Sequence, residues 1–327
     1  MSQLMGAIRE GAFGIPQSET SFERRGFSVT DDDARRHLET AGKAFVDGYN
    51  TALRSVDQFD IQRSLSEIEL EFQGFAFEGA AMSMALMDCL TPWKRDRLST
   101  FLKGPASPHI YMAHVGAGWA YARLHLSVER RFDRFDPLLK WLAVDGYGFH
   151  QGFFHWRRYI ERQVVPSDLS RYARRVFDQG LGRSLWFVKS ASVLSIAAAV
   201  NAFPEERRAD LWSGVALACS YAGGVARHVV GNLVKAARPF ADHLAQGAAF
   251  AAKARIRAGN LTPHTDIACR TICGMSAASA ARVTDLALLD LLPDGGLPAY
   301  EVWRQRIRSI YAEEVQEHEK NTRAVAQ

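Results

Sequence analysis

Val144-Asp-Gly-Tyr-Gly-Phe-His-Gln-Gly-Phe-Phe-His-Trp156 is the stretch on which the fold turns. An acidic residue precedes Gly146, a second small residue stands at Gly148, and a bulky ring follows at Phe149. The same order returns along the chain. It is found at Asp47-Gly48-Tyr49-Asn50, Glu78-Gly79-Ala80-Ala81, Val115-Gly116-Ala117-Gly118, Gln179-Gly180-Leu181-Gly182, Ser213-Gly214-Val215-Ala216 and Gln246-Gly247-Ala248-Ala249. From Gly48 to Gly247 the anchor glycines are 31, 37, 30, 34, 34 and 33 residues apart. The residue three places after the glycine is bulky at Met82, Trp119, Phe149, Leu217 and Phe250, with Thr51 and Arg183 as the departures.

A period of about 33 residues is that of a helix–turn–helix unit. Small residues one turn apart let two helices approach closely, and a bulky neighbour fills the groove beside them. The segments around the anchors support helix. Asp33–Leu53 and Val302–Val325 are rich in Ala, Leu, Glu, Arg and Gln, which are good helix formers. No sustained polar–apolar alternation and no turn flanked by β-branched runs points to a sheet. The prediction is an all-α protein of helical hairpins, each of two helices of about 13 residues, wound into a superhelix or an α/α toroid-like domain. Breakers such as Pro105, Pro166, Pro204, Pro239 and Pro263 are scattered as inter-helix turns. The chain therefore reads as one domain over 1–327, with an N-terminal arm at 1–32 and a turn at 293–298 before a last helix at 299–325.

Composition narrows the function. Of the 327 residues 47% are hydrophobic and 23% charged, the balance of a globular protein with a large core. A net charge of +4 is small for this length. The basic pairs Arg24-Arg25, Arg130-Arg131, Arg157-Arg158 and Arg207-Arg208 lie beside acidic or aromatic residues, so no nucleic-acid partner is expected. Four cysteines do not make a disulfide scaffold. The apolar run Val193–Phe203 is too short to span a bilayer, and the opening segment carries Arg9 and Glu10 where a signal core would lie. The expected location is the cytoplasm.

Longer strings around the anchors carry a family resemblance. They are Gly74-Phe-Ala-Phe-Glu-Gly-Ala-Ala-Met82, His114-Val-Gly-Ala-Gly-Trp119, the opening Val144–Trp156 stretch, Phe177-Asp-Gln-Gly-Leu-Gly-Arg-Ser-Leu-Trp-Phe187, Asp210-Leu-Trp-Ser-Gly214 and Cys219-Ser-Tyr-Ala-Gly-Gly224. Over about Arg25 to Ser279 the chain resembles the UnbL-type enediyne biosynthesis proteins, a bacterial family of unknown function. The resemblance implies a role in maturing a polyene or related polyketide intermediate. It supplies no catalytic residues.

Candidate chemistry comes from the residues themselves. If the anchors are equivalent, the residues before each glycine line one side of the superhelix. That side carries Asp47, Glu78, Asp145, Gln179, Ser213 and Gln246, with His114 and Asp178 one place earlier. Carboxylates against aromatic walls are desolvated and suit general-acid work. The competing reading makes Asp47, Asp145 and Ser213 helix N-caps. Glu78 is a poor cap, which makes it the more interesting carboxylate.

His150 offers a proton relay or a hydrogen-bonded core histidine. It is five residues from His155, off a common helical face, so the two do not suggest a shared metal. Asp178 and Arg183 flank Gly180-x-Gly182, which lacks the preceding strand and third glycine of a dinucleotide site. They offer a structural ion pair across repeats, or Arg183 as a reader of a substrate carboxylate or carrier phosphate. His264, Asp266, Cys269 and Cys273 match no zinc spacing.

The candidate acid–base set is thus Glu78, His114, Asp145, His150 and Asp178. The candidate substrate wall is Trp119, Tyr121, Tyr147, Phe149, Phe153, Arg183 and Trp186, and neither metal nor cofactor is expected. Two functions remain open. One is a cofactor-independent isomerase or cyclase acting on a hydrophobic intermediate. The other is a non-catalytic α-solenoid scaffold or chaperone whose partners are pathway enzymes.

Overall fold

The structure is a computed structural model that describes residues 2–55, 57–91, 93 and 96–325. Met1 of the expected arm and positions 326–327 of the expected domain lie outside the described residues. No strand occurs among the described residues. In chain order the helices are α1 Ser2–Phe13, α2 Phe22–Arg25, α3 Asp32–Arg54, α4 Gln58–Ser66, α5 Gln73–Leu90, α6 Arg97–Lys103, α7 Ile110–Arg123 and α8 Trp141–Phe154. They continue as α9 Arg171–Val188, α10 Val193–Asn201, α11 Glu205–Ala222, α12 Arg227–Ala236, α13 Ala241–Ala258, α14 Pro263–Ile272, α15 Ala277–Leu286 and α16 Ala299–Val325.

Every anchor glycine lies inside a long helix: α3, α5, α7, α8, α9, α11 and α13 in turn. Each of these packs on the next, forming an inner wall. The segments between them are shorter and run outside. The hairpins are therefore unequal, which corrects the expectation of two similar helices. The α7–α8 link has only a 3-10 turn at Glu129–Arg134 as regular structure, and the α8–α9 link only a π turn at Arg157–Glu161. The wall winds far enough that α13 comes round to touch α7.

The glycines explain the winding. A Cβ on Gly146 would stand 2.0 Å from the Val115 carbonyl oxygen of α7, and one on Gly148 would stand 2.3 Å from that of Phe177 in α9. In α9, Gly180 meets Asp145 O of α8 and Gly182 meets Leu211 O of α11, each at 2.0 Å from the absent Cβ. The Gly-x-Gly pair is thus two contact points. The first glycine receives the preceding inner helix and the second receives the following one. At such approach Cα–H groups sit against carbonyl oxygens, each contact contributing about 0.5–1 kcal/mol.

The N-cap reading of Asp47, Asp145 and Ser213 is overturned, because all three lie in helix interiors. The cap of α3 is Asp31, which accepts from the backbone N–H of Asp33 and Ala34, and α8 and α11 start without a side-chain cap. Asp47 is exposed and takes a hydrogen bond from Gln17. In α5 and α8 nearly every side chain is buried, from Gly74 to Asp88 and from Trp141 to Phe153. A helix covered on all sides carries no single apolar stripe.

Both ends of the chain fold against the wall. Tyr49 Oη donates to Phe13 O at 3.0 Å, and Asn50 exchanges hydrogen bonds with Ile15, which ties the N-terminal segment to α3. At the other end, buried Arg304 of α16 reaches Asp210 at 2.6 Å, Glu301 at 3.2 Å and Gln246 at 3.2 Å.

Contrasting glycine substitutions test the packing. Gly180→Ala should destabilise by about 3 kcal/mol or more, since backbone on both sides must move. Gly231→Ala in α12, where a new Cβ meets nothing within 4 Å, should leave stability unchanged or raise it by up to about 1 kcal/mol. Denaturant midpoints that shift equally for the two would contradict the close-packed wall.

Candidate functional site

The inner helices enclose a cavity with about 660 Å³ of empty space, its mouth included. Its wall is almost entirely apolar. Phe45 comes from α3, Phe75 from α5, Trp119 from α7, Phe149 and Phe153 from α8, and Phe187 from α9. The rings touch one another: Trp119 stacks at a tilt on Phe45 and Phe149, with centroids 4.5 and 5.0 Å apart. Ile15 and Thr20 of the N-terminal segment complete the wall.

Two charged-type side chains from the inner helices enter this surface, Glu78 and Arg183. Glu78 is 2% exposed and Arg183 5%. The Arg183 guanidinium pairs with Asp145 of α8 and lies 5.0 Å above the Phe149 ring. One guanidinium neutralises one carboxylate, and Asp145 takes that place. Burial pushes Glu78 up to about 8, opposed by the charge of Arg183 and reinforced by that of Asp145. The indole N–H of Trp119, which finds no partner of full hydrogen-bond geometry among the described residues, pulls weakly with Arg183. The outcome is a neutral carboxylic acid facing an aromatic cavity at neutral pH. Burial opposes the charge on Arg183, but Asp145 and Glu78 outweigh it and raise its pKa.

A second cavity of about 470 Å³ adjoins the first. Arg183, Leu217 and Tyr221 belong to both walls. Beyond them the second cavity is lined by Met112, Val115, Leu142, Asp145, Phe250 and Trp303, with Lys253 among its wall residues. Behind Asp145 a buried polar chain crosses the inner helices at the positions before the anchor glycines. Gln179 Nε2 donates to Asp145 at 2.8 Å. The Ser213 hydroxyl lies 3.4 Å from Gln179 Oε1 and 3.0 Å from Gln246 Oε1, and its single proton favours the shorter contact. Arg304 then closes on Gln246.

The cavities gather some of the expected site residues and leave others apart. Glu78, Trp119, Phe149, Phe153 and Arg183 meet in the first, and Asp145 borders the second. His150 is not on the cavity wall. It packs edge-on against Trp119, and burial pushes it down to about 3, so it is neutral at physiological pH. His114 hydrogen-bonds its own helix at Ile110 O, and burial lowers its pKa as well.

Asp178 is held by Arg207 through two hydrogen bonds of 2.5 and 2.9 Å. Burial raises it to about 6 against the pull of that arginine. The expected Asp178–Arg183 pairing is therefore replaced by two inter-helix pairs, Arg183–Asp145 and Arg207–Asp178. Tyr121 lies against Phe135 and Arg131, Tyr147 against Phe177, and the Trp186 indole donates to Gly223 O. None of these three lines either cavity. Cys269 and Cys273 approach the carbonyls of Ala248 and Ala245, and His264 approaches Tyr221 O, so that grouping is dispersed among structural contacts.

Phe45, Phe75, Phe187, Leu217 and Tyr221 were not selected from the sequence as site residues, yet they line the first cavity. A signal exists for three of them. Phe187, Leu217 and Tyr221 stand seven, three and seven places after their anchor glycines, on the face that also carries Phe149 and Phe153.

Fold and cavity together define a class: an all-α repeat protein whose wound inner helices enclose an aromatic chamber with one protonated acid. The chain belongs to the family described as Protein of unknown function (DUF1702), which it matches over residues 4–311. No curated protein and no solved structure matches the chain. No helix is long and apolar enough to cross a membrane among the described residues.

The shift of Glu78 has a thermodynamic consequence. The folded state keeps a proton that the unfolded chain loses above its ordinary value of 4.5, so stability falls as pH rises from there to about 8. Glu78→Gln removes that loss. Its stability should match or trail the parent near pH 5 and exceed it by a few kcal/mol above pH 8. Parallel pH–stability curves from chemical denaturation would show that Glu78 is ionised in the native chamber.

Proposed function

We propose that the protein binds a hydrophobic, conjugated polyene or polyketide-type intermediate in the aromatic chamber and isomerises or cyclises it by proton transfer, without a redox step. The observation that carries this reading is the protonated Glu78 placed among rings. The likeness to enediyne biosynthesis proteins in its anchor strings points to the same substrate class. Flat rings on several sides offer stacking area to an extended π system while contributing few competing hydrogen bonds.

Glu78 gives its proton to one carbon or oxygen of the conjugated segment, and the resulting carboxylate removes a proton from another carbon. The double bonds shift and the acid is restored, so no external oxidant or reductant is consumed. The carboxylate formed in passing lies beside Arg183, whose charge stabilises it. Asp145 serves by holding Arg183 rather than by touching the ligand in the first chamber. An interior closed round an aromatic chamber argues against a scaffold, which would present a broad concave groove to its partners.

The test is co-expression with an iterative polyketide synthase that releases a conjugated polyene, with products separated and their absorbance spectra compared. Folded Glu78→Gln should lower conversion about a hundredfold or more, the scale of general-acid catalysis. His150→Ala, which removes a ring outside the cavity wall, should retain most of it. Undiminished conversion by Glu78→Gln would end the proposed role of that acid.

A further inference from the structure

The polar groups that the two cavities share are concentrated where they meet. Arg183 and Tyr221 border both, Glu78 enters from the first side and Asp145 from the second. Away from this septum the walls are nearly all apolar, apart from Glu19 and Thr20 of the N-terminal segment in one cavity and Tyr111 and Lys253 in the other. An oxygen on an otherwise greasy ligand therefore finds its hydrogen-bond partners at the septum.

The sign of charge there decides which oxygen fits. Arg183 is already spent on Asp145, and that pair is buried. Adding a ligand carboxylate would place a second negative charge beside the single guanidinium, with Glu78 able to offer only a neutral donor. Buried charges without their own partner are strongly disfavoured. A neutral carbonyl has no such penalty. It can accept from the Glu78 O–H, and the Arg183 Nε–H, which is buried without a partner, offers a second donor.

We infer that the septum between the two cavities selects a neutral carbonyl compound, such as an unsaturated ketone or ester, over the free carboxylic acid of the same chain. This inference rests on the hydrophobic-ligand reading above and adds the functional group. It also places the proton donor on the carbonyl oxygen of the conjugated system, where protonation polarises the whole chain.

The groups facing Glu78 are Trp119 from α7, Asp145 from α8, Arg183 from α9 and Tyr221 from α11. Burial raises Tyr221, and Arg183 is raised by its carboxylate neighbours, so both keep their form as pH rises past neutrality. Glu78, pushed up to about 8, is the group among them that changes over that range. Its ionisation removes the donor and places a second negative charge at the septum.

A matched pair of probes tests this: cis-parinaric acid, a fluorescent 18-carbon conjugated tetraene, and its methyl ester. Both are titrated into the intact protein at pH 7 and pH 9.5, and the rise in tetraene fluorescence is followed. The ester should bind about tenfold or more tighter than the ionised acid at pH 7. Its affinity should fall about tenfold or more by pH 9.5 in the parent protein and stay level in Glu78→Gln, whose amide keeps a donor and cannot ionise. Acid binding as tight as ester, or ester binding that ignores pH in the parent protein, overturns the inference and leaves a general hydrophobic site standing. Failure of both probes to bind at either pH overturns the hydrophobic-ligand reading along with it.

Discussion

Glycine set against a neighbour's carbonyl is the contact on which this molecule depends. Gly48 and Gly79 meet Ala76 O and Phe45 O across α3 and α5, and the same exchange is repeated through Gly116, Gly146, Gly180, Gly214 and Gly247. Any side chain at these points would force backbone from backbone. Because adjoining inner helices must touch at a defined point on each, their relative height and rotation are set together, and the wall winds. The chamber follows from that winding and has no separate cause.

The winding also decides what the chamber contains. Positions three residues after the anchor turn inward at Trp119, Phe149, Arg183, Leu217 and Phe250. The one departure toward charge in that bulky column, Arg183, becomes the centre of the electrostatics. Positions just before the anchor supply Glu78 and Asp145 around it, and Gln179, Ser213 and Gln246 carry hydrogen bonds outward to Arg304. Three ionisable groups with one positive charge among them cannot all be ionised comfortably in an apolar interior. The proton left on Glu78 is the result, and its value near 8 keeps it close to the range in which an acid both holds and releases a proton.

The same physics removes several residues from consideration. His150 and His114 are buried among rings, and desolvation depresses both, at His114 against the opposing pull of the Ile110 carbonyl and Asp136, so they stay neutral. Asp178 is matched by Arg207 on the next inner helix, away from both cavities. A histidine beside an Asp-Gly in an aromatic string looks chemical in one dimension. Its helical phase turns it behind Trp119 rather than past it.

By itself the sequence determined the all-helical class, the period near 33 residues and the small residues that set it, because close helix packing leaves a local mark in glycine and alanine spacing. It also singled out Glu78 as a poor helix cap in an apolar string, and Arg183 as an exception in the bulky column. Tertiary structure alone decided that Asp145 and Ser213 are interior ladder residues rather than caps, since the start of α8 left no signal at Lys140 and the turn at Pro204 did not by itself show that α11 runs unbroken through Ser213. It alone brought Phe45, Phe75 and Tyr221 to one wall, from helices far apart in the chain. The reason is geometric. Which turn of each helix faces the chamber depends on the accumulated twist of all the helices before it, and no local window of residues records that sum.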